Sequence, residues 1–343
     1  VELQHRISEW RIRKNNQRRQ SLVKKIISLL FVVLTLSACG GRPDQRKVTI
    51  AIVGKAKTPY WDDVKLGAEA AGRDLGVSVK FHAPSKEDPA WQIREIEELT
   101  ARPVDGIAFA ASDPKSIASS ILKAMQSEIP CVALDTDVAK SRHAYIGTGN
   151  YDAGKQAGER MVSLLEDKGK VAIVAGSSEN PDLLQRVRGF RDILAEHPNV
   201  EIAATLDSES GVVQTTDVES LLGSHAELDG IFCASDSGGV AAAEAVKKAD
   251  KVERIKIVCI GESPDIMILV RDKVIQAAVA RKPYRIGYLS VLVLHNMARA
   301  GIVNTLRILP KSEIIDTGIA LVTPLNIVQY REQLRMLGIE VKF

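Results

Sequence analysis

The sequence predicts an α/β protein built as two similar, doubly wound parallel-sheet lobes joined by a multi-strand hinge. Three observations carry that prediction. From Lys47 onward, apolar runs of strand length alternate with longer helical patterns. The strand runs are apolar throughout rather than at alternate positions, as expected of parallel strands covered by helices on both faces. The whole pattern then occurs a second time at a nearly constant offset.

The chain has 343 residues, 45% hydrophobic and 26% charged, with a formal net charge of +3. These values suit a globular protein with room for two domains and exclude disordered or collagen-like sequence. The positive charge sits at one end. Residues 1 to 25 hold Arg6, Arg11, Arg13, Lys14, Arg18, Arg19, Lys24 and Lys25 against Glu2 and Glu9, so the remainder is slightly acidic. Ile26 to Ala38 is a 13-residue apolar stretch, short of the roughly 20 residues that span a bilayer. It has the dimensions of the apolar segment of a signal peptide behind a basic leader. The stretch Leu36-Ser37-Ala38-Cys39-Gly40 resembles the bacterial lipobox, in which cleavage falls before a cysteine that then carries lipid. Acyl chains hold a protein on a membrane with about 0.8 kcal/mol per buried methylene. The expectation is therefore a basic extension and signal peptide over 1–38, a linker over 39–46 and a membrane anchor at Cys39. An uncleaved anchor or a buried helix is the competing reading. A basic DNA-binding arm is another, but an arm followed by an export signal never meets nucleic acid. Cys131, Cys233 and Cys259 each lie in or beside an apolar run and read as free core thiols; no CxxC pair or metal-spaced His set exists, and no cofactor or metal is expected.

The body follows in order. "VTIAIVG" (48–54) reads as a strand leading into a helix from about Tyr60 to Leu75, and "VSVKFHA" (77–83) as a second strand before a helix around Gln92 to Ala101. "GIAFAA" (106–111), a helix near 114–127 and "CVALDTD" (131–137) complete one copy. In the second copy "KVTIAIVG" at 47 recurs as "KVAIVAG" at 170, and "VDGIAFAASD" at 104 as "LDGIFCASD" at 228. "IPCVALDTD" at 129 returns as "IKIVCIGESPD" at 255. The shared Asp-Gly-Ile and Ser-Asp spacing separates this repeat from a chance likeness of apolar strands.

Ligands of open parallel sheets bind beyond the carboxyl ends of the strands, so two such lobes facing each other would enclose a small molecule. The residues just past strand ends are Thr58, Tyr60 and Trp61; Ser112 and Asp113; Asp135, Thr136 and Asp137; Asn180 and Asp182; Ser235 and Asp236; Gly261 and Glu262. That polar and aromatic set suits a ligand rich in hydroxyls. Asp62 and Asp63 fall in a first helical turn, where carboxylates complement the helix dipole, and read as structural. Trp91 reads as helix packing. "GTGNYDAG" lacks the Gly-Lys-Ser/Thr ending of a phosphate-binding loop.

At these residues the chain resembles the type I periplasmic binding proteins, the solute receptors of ABC importers, and in particular their glucose-type sugar receptors. The resemblance covers about Lys47 to Phe343 and rests on "PYW" (59–61), "LDTD" (134–137), "YIGTGNYDAG" (145–154), "LQRVRGF" (184–190), "RKPYRIGYLSV" (281–291) and "IDTGIALVTPLN" (315–326) in that order. It implies a receptor, not an enzyme, that captures a monosaccharide or related polyol between two closing lobes and hands it to the membrane subunits of an ABC permease. It further implies an exported, lipid-anchored monomer. Carried over by position, the site comprises Thr58, Tyr60, Trp61, Asp135 and Thr136 in one lobe. From the other come Asn180, Asp182, Arg186, Glu209, Ser235 and Glu262, together with Arg281 where many members have glutamine. Gly261 departs from the family's second ligand-binding aspartate, and the internal repeat agrees, because Gly261 is the counterpart of Asp135; Glu262 is a candidate replacement. The resemblance implies an N-terminal lobe of 47–149 with 281–312 and a C-terminal lobe of 150–280 with 313–343. Its three crossings are expected near Gly149 to Ala153, Arg281 to Arg285 and Pro310 to Ile314. With Arg281 facing the ligand, a sugar acid or phosphorylated sugar is the alternative cargo. Two other classes stay open: an enzyme using Asp135, Asp182 and Arg186 for acid/base chemistry, and a lactose-repressor-type regulator, which would carry a helix-turn-helix where this chain has an apolar segment and Cys39.

Overall fold

The structure, a computed structural model, describes residues 46–208 and 212–343. The expected signal segment, Cys39 and Glu209 lie outside the described residues. The strands are β1 (Thr49–Val53), β2 (Ser78–His82), β3 (Gly106–Phe109), β4 (Cys131–Leu134), β5 (Ala144–Gly147), β6 (Gly169–Gly176), β7 (Val200–Asp207), β8 (Gly230–Cys233), β9 (Lys256–Ile260), β10 (Ala277–Ala280), β11 (Ile314–Asp316) and β12 (Ala320–Val322). They form two six-stranded sheets, ordered β11-β5-β4-β3-β1-β2 and β12-β10-β9-β8-β6-β7. Every described pairing is parallel except β10 with β12. The expected α/β architecture of two repeated lobes is the one observed.

The apolar strands follow from the layering. Ile50 and Ile52 point into one core of the first lobe, and Ala51 and Val53 into the other. In the second lobe Val171 and Ile173 face one core, Ala172 and Val174 the other. A polar residue on either face would be buried, so strand periodicity disappears from the sequence.

Helices α1 (Pro59–Leu75), α2 (Pro89–Thr100), α3 (Pro114–Gln126), α4 (Asn150–Leu164), α5 (Pro181–Ala195), α6 (Thr215–Ser224), α7 (Asp236–Lys248), α8 (Pro264–Arg271), α9 (Pro283–Ala300), α10 (Ile302–Ile308) and α11 (Ile327–Met336) cover the faces. Six of them open on proline, whose missing N–H and fixed φ suit the first turn. Asp88, Asp113, Asn180, Ser235 and Ser263 cap with side-chain oxygens. Trp91 packs against the α2–α3 core, and Cys131, Cys233 and Cys259 are buried and free.

The chain passes between sheets after β5, after β10 and after β11. Helix α9 follows second-sheet strand β10 yet packs on α1 and the first sheet, whereas α4 follows first-sheet strand β5 yet packs on α5 and the second sheet. The third passage differs from expectation. Ile314–Asp316 pairs in parallel with Tyr145–Gly147 in the first sheet, so the crossing lies at Thr317–Ile319 rather than near Pro310–Ile314. The physical reason is the open edge of β5, which β11 satisfies. Thr317 donates its N–H (2.8 Å) and hydroxyl (3.1 Å) to the Gly147 carbonyl. Asp316 accepts from the Gly149 N–H (3.1 Å), and Arg285 donates to the Thr317 carbonyl (3.1 Å). All three passages are thus hydrogen-bonded together.

Candidate ligand-binding site

In each sheet the strand order reverses beside the first strand of the copy, at β1/β3 and at β6/β8, and the carboxyl ends there define the crevice. From the first lobe, Asp135 follows β4 with φ of 61°, a left-handed turn that aspartate tolerates better than most residues. Its carboxylate accepts from the Tyr60 hydroxyl (2.6 Å) and from Lys55 Nζ (3.2 Å). The same Lys55 donates to the Thr136 hydroxyl at 2.7 Å. Thr136 in turn donates to the Asp182 carboxylate at the start of α5 in the second lobe (2.7 Å), a direct bond between lobes. Asp182 also accepts from Asn150 Nδ2 (3.1 Å), and Asn150 accepts from Arg186 Nε (2.8 Å). Arg186 is 5% exposed and completes its bonding on the Ala234 carbonyl (2.9 Å).

Arg281, just past β10, is the centre of the cluster. Its backbone N–H and Nε each donate to Glu262 Oε2 at 3.0 Å, and Nη2 contacts Glu262 Oε1. Nη2 lies 3.5 Å from Asp236 Oδ2, and Nη1 lies 3.9 Å from Asp135 Oδ1. The guanidinium carbon stands 4.4 Å from the centroid of the Tyr60 ring, a cation–π contact between lobes. Burial favours the neutral form of Asp135, but Lys55, Arg281 and the Tyr60 hydroxyl outweigh it and hold the carboxyl well below its usual range. Glu262 and Asp182 are pushed up by burial, Asp182 also by the nearby Asp135 charge. Burial opposes the charge on Arg281, yet Glu262, Asp135 and Asp236 fix it as a cation. Lys55, Arg186 and Arg281 thus face Asp135, Asp182, Asp236 and Glu262: three cations against four carboxylates.

Beside this cluster lies a cavity of ≈ 270 Å³. Thr58, Tyr60 and Asp63 line it from the first lobe, Asp236, Glu262 and Ser263 from the second, and the C-terminal Ile339–Phe343 closes one side. Asp63, read from the sequence as a helix-start residue only, is pushed up to about 6 by burial and by the Glu262 and Asp62 charges.

The structure thus brings Tyr60, Asp135, Thr136, Asp182, Arg186, Glu262 and Arg281 together. Thr58 is exposed at the cavity edge. Trp61 differs from expectation: it is 5% exposed and packs in the first-lobe core, edge-on to Tyr60 at 5.2 Å. Successive helical residues point about 100° apart, so both rings of the pair cannot face one crevice. Asn180 and Ser235 are occupied as caps, Asn180 accepting from the Asp182 and Leu183 N–H groups and Ser235 from Gly238. Sequence reasoning missed Lys55 and Asn150, although both stand immediately past or before a strand–helix junction of the kind that forms such crevices.

Comparison with known proteins agrees with this geometry. The family described as periplasmic binding protein domain matches residues 50–301. The D-allose-binding periplasmic protein of Escherichia coli (strain K12) is 25% identical over 270 residues, 76% of this chain and 87% of that protein. A sugar-binding protein of a sugar ABC transporter from Bacillus halodurans superposes with a TM-score of 0.76 at 29% identity, covering 83% of this chain and 100% of that one. A solute-binding protein from Burkholderia graminis C4D1M, solved in complex with D-arabinose, gives 0.75 at 30% identity, covering 84% and 99%. With the repeated lobes, the crevice at their strand ends and a family match over most of its length, the chain belongs to the periplasmic binding protein family.

Proposed function

We propose that this chain is an extracytoplasmic receptor that captures an uncharged monosaccharide or related polyol between its lobes and delivers it to an ABC import permease. The observation that carries the reading is the cluster of Tyr60, Asp135 and Arg281, drawn from both lobes to one point at the strand ends. Carboxylates and guanidinium groups bind adjacent hydroxyls through charge-assisted hydrogen bonds, and an analogue lacking a hydroxyl leaves a buried charge unpaired. The Tyr60 ring offers apolar area for a sugar C–H face. A micromolar receptor needs about 8 kcal/mol, within reach of a handful of such contacts from two lobes.

Charge balance favours a neutral cargo over a sugar acid or phosphorylated sugar, because Lys55 and Arg281 already face carboxylates, Arg186 is bound to Asn150 and the Ala234 carbonyl, and the carboxylates of the cluster outnumber its cations. The cavity beside the cluster, lined by Tyr60, Asp236 and Glu262 but not by Asp135 or Arg281, lies just below the about 300 Å³ at which ordinary small-molecule pockets begin. The relatives that bind allose or arabinose support a sugar. Export and a lipid tether at Cys39 rest on the apolar segment and lipobox-like sequence before residue 40. The receptor acts as a monomer and binds without turnover.

A thermal-shift screen of sugars, amino acids and short peptides tests the reading. Ligand at a hundred times its Kd adds about 2.7 kcal/mol, which for this size of protein raises Tm by about 4 °C. At least one neutral monosaccharide is expected to do so. Stabilisation by a peptide or amino acid and by no sugar would refute the proposal.

A further inference from the structure

The internal repeat aligns Gly261 with Asp135 and so leaves the second lobe without a carboxylate at its strand end. The structure shows what fills that place. A Cβ built on Gly261 would lie 2.7 Å from Asp236 Oδ1, 2.8 Å from its Cγ and 3.1 Å from its Oδ2. The Asp236 carboxylate, arriving from the first residue of α7, therefore occupies the volume in which a residue-261 side chain would begin. Its Oδ1 is fixed by the backbone N–H groups of Glu262 (3.0 Å) and Ser263 (2.8 Å). Oδ2 is left directed at Arg281, 3.5 Å away. The Asp236 side chain is 30% exposed and lines the same cavity as Tyr60 and Glu262. Glu262, the replacement expected from sequence, has both oxygens engaged by Arg281 and acts as its clamp. One guanidinium is thus flanked by a carboxylate from each lobe, Asp135 on Nη1 and Asp236 on Nη2.

We propose that Asp236 is the second lobe's ligand-binding carboxylate, the functional counterpart of Asp135 transferred from a strand end to a helix start. Its Oδ2 and Arg281 accept from and donate to hydroxyls of the bound sugar, and glycine at 261 is the condition for its reaching that place. This assignment rests on the sugar-receptor reading.

The test is isothermal titration of the full chain and its variants with D-ribose, D-allose and D-arabinose. Asp236→Asn keeps an oxygen acceptor for the Glu262 and Ser263 N–H groups and removes the charge; its affinity is expected to fall at least tenfold with Tm unchanged. Asp236→Ala is expected to lose more, and Asp236→Ala combined with Gly261→Asp to recover most of that loss. A purely structural capping role would leave Asp236→Asn within twofold of the parent chain. That result, or a double variant that binds no tighter than Asp236→Ala alone, would overturn the assignment while the receptor reading stood. Where another neutral monosaccharide stabilises the parent chain more, the same variants are titrated with that sugar; a parent chain that binds no neutral monosaccharide would refute the receptor reading, and this assignment with it.

Discussion

Asp63 shows at the scale of one residue how burial and neighbouring charge set behaviour. Its carboxyl is pushed up to about 6, first by burial and then by Glu262 and Asp62, against an ordinary value near 4 in the unfolded chain. A raised acid destabilises the fold fully above pH 6, where it is ionised in both states. The cost shrinks as pH falls from about 6 to 4 and vanishes below, where both states are protonated. Asp63→Asn is therefore expected to raise Tm at pH 8 and to leave it unchanged at pH 4 in a scan of both proteins; equal Tm at pH 8 would contradict the account. None of this was legible in the sequence, because a carboxylate in a first helical turn looks the same whether it faces water or a crowded cavity. Asp135 was legible, since its place past a strand end follows from the order of the strands, whereas Arg186, inside α5, and Arg281 were marked only by the family resemblance. Asp236 was read as a residue past a strand end, but its filling of the Gly261 place was not legible: it reaches there from 25 positions upstream, and only three-dimensional placement reveals the overlap.

Pairs of helices repeat a second device in the two lobes. Helix α1 crosses α9 through Gly67 and Gly287, and α4 crosses α5 through Gly154 and Gly189. A Cβ at each position would collide with a carbonyl oxygen of the facing helix: that of Tyr284, Val64, Arg186 and Tyr151 respectively. Because the obstacle is backbone, neither rotamer change nor side-chain bending relieves it. Gly67→Ala and Gly154→Ala are each expected to destabilise the fold by about 1–3 kcal/mol, even though alanine is intrinsically the better helix former by roughly 1 kcal/mol. Denaturant unfolding that gave either variant the parent's midpoint would show that the helices do not approach so closely. Strand and helix identities were readable from apolar runs, proline starts and capping residues. The glycine crossings were not, as each joins residues from helices far apart in the chain, and α1 and α9 meet across more than 200 residues. The edge strand β11 was missed for a related reason: its three residues are polar-flanked, half-exposed and gain strand structure only from the open side of β5.

The whole molecule is two sheets whose ligand edges face each other across three hydrogen-bonded passages. The Thr136–Asp182 bond and the contacts of Arg281 with Tyr60 and Asp135 already join the lobes, and a sugar contacting the same groups favours the closed arrangement by its extra affinity for it. The repeat made this architecture readable, because two copies of one lobe with matching strand ends leave few ways to build a crevice. What the repeat could not convey is the charge balance of the closed crevice, which depends on Lys55, Asn150 and Asp236 meeting residues of other elements. The receptor function depends on a sugar held between the lobes at Asp135. Small-angle X-ray scattering of the parent chain and Asp135→Asn, each with and without the best-stabilising monosaccharide, tests it most directly. Sugar is expected to lower the radius of gyration of the parent and to leave that of Asp135→Asn unchanged; a sugar that binds the parent without compaction, or compacts both proteins equally, would rule out capture between the lobes at Asp135.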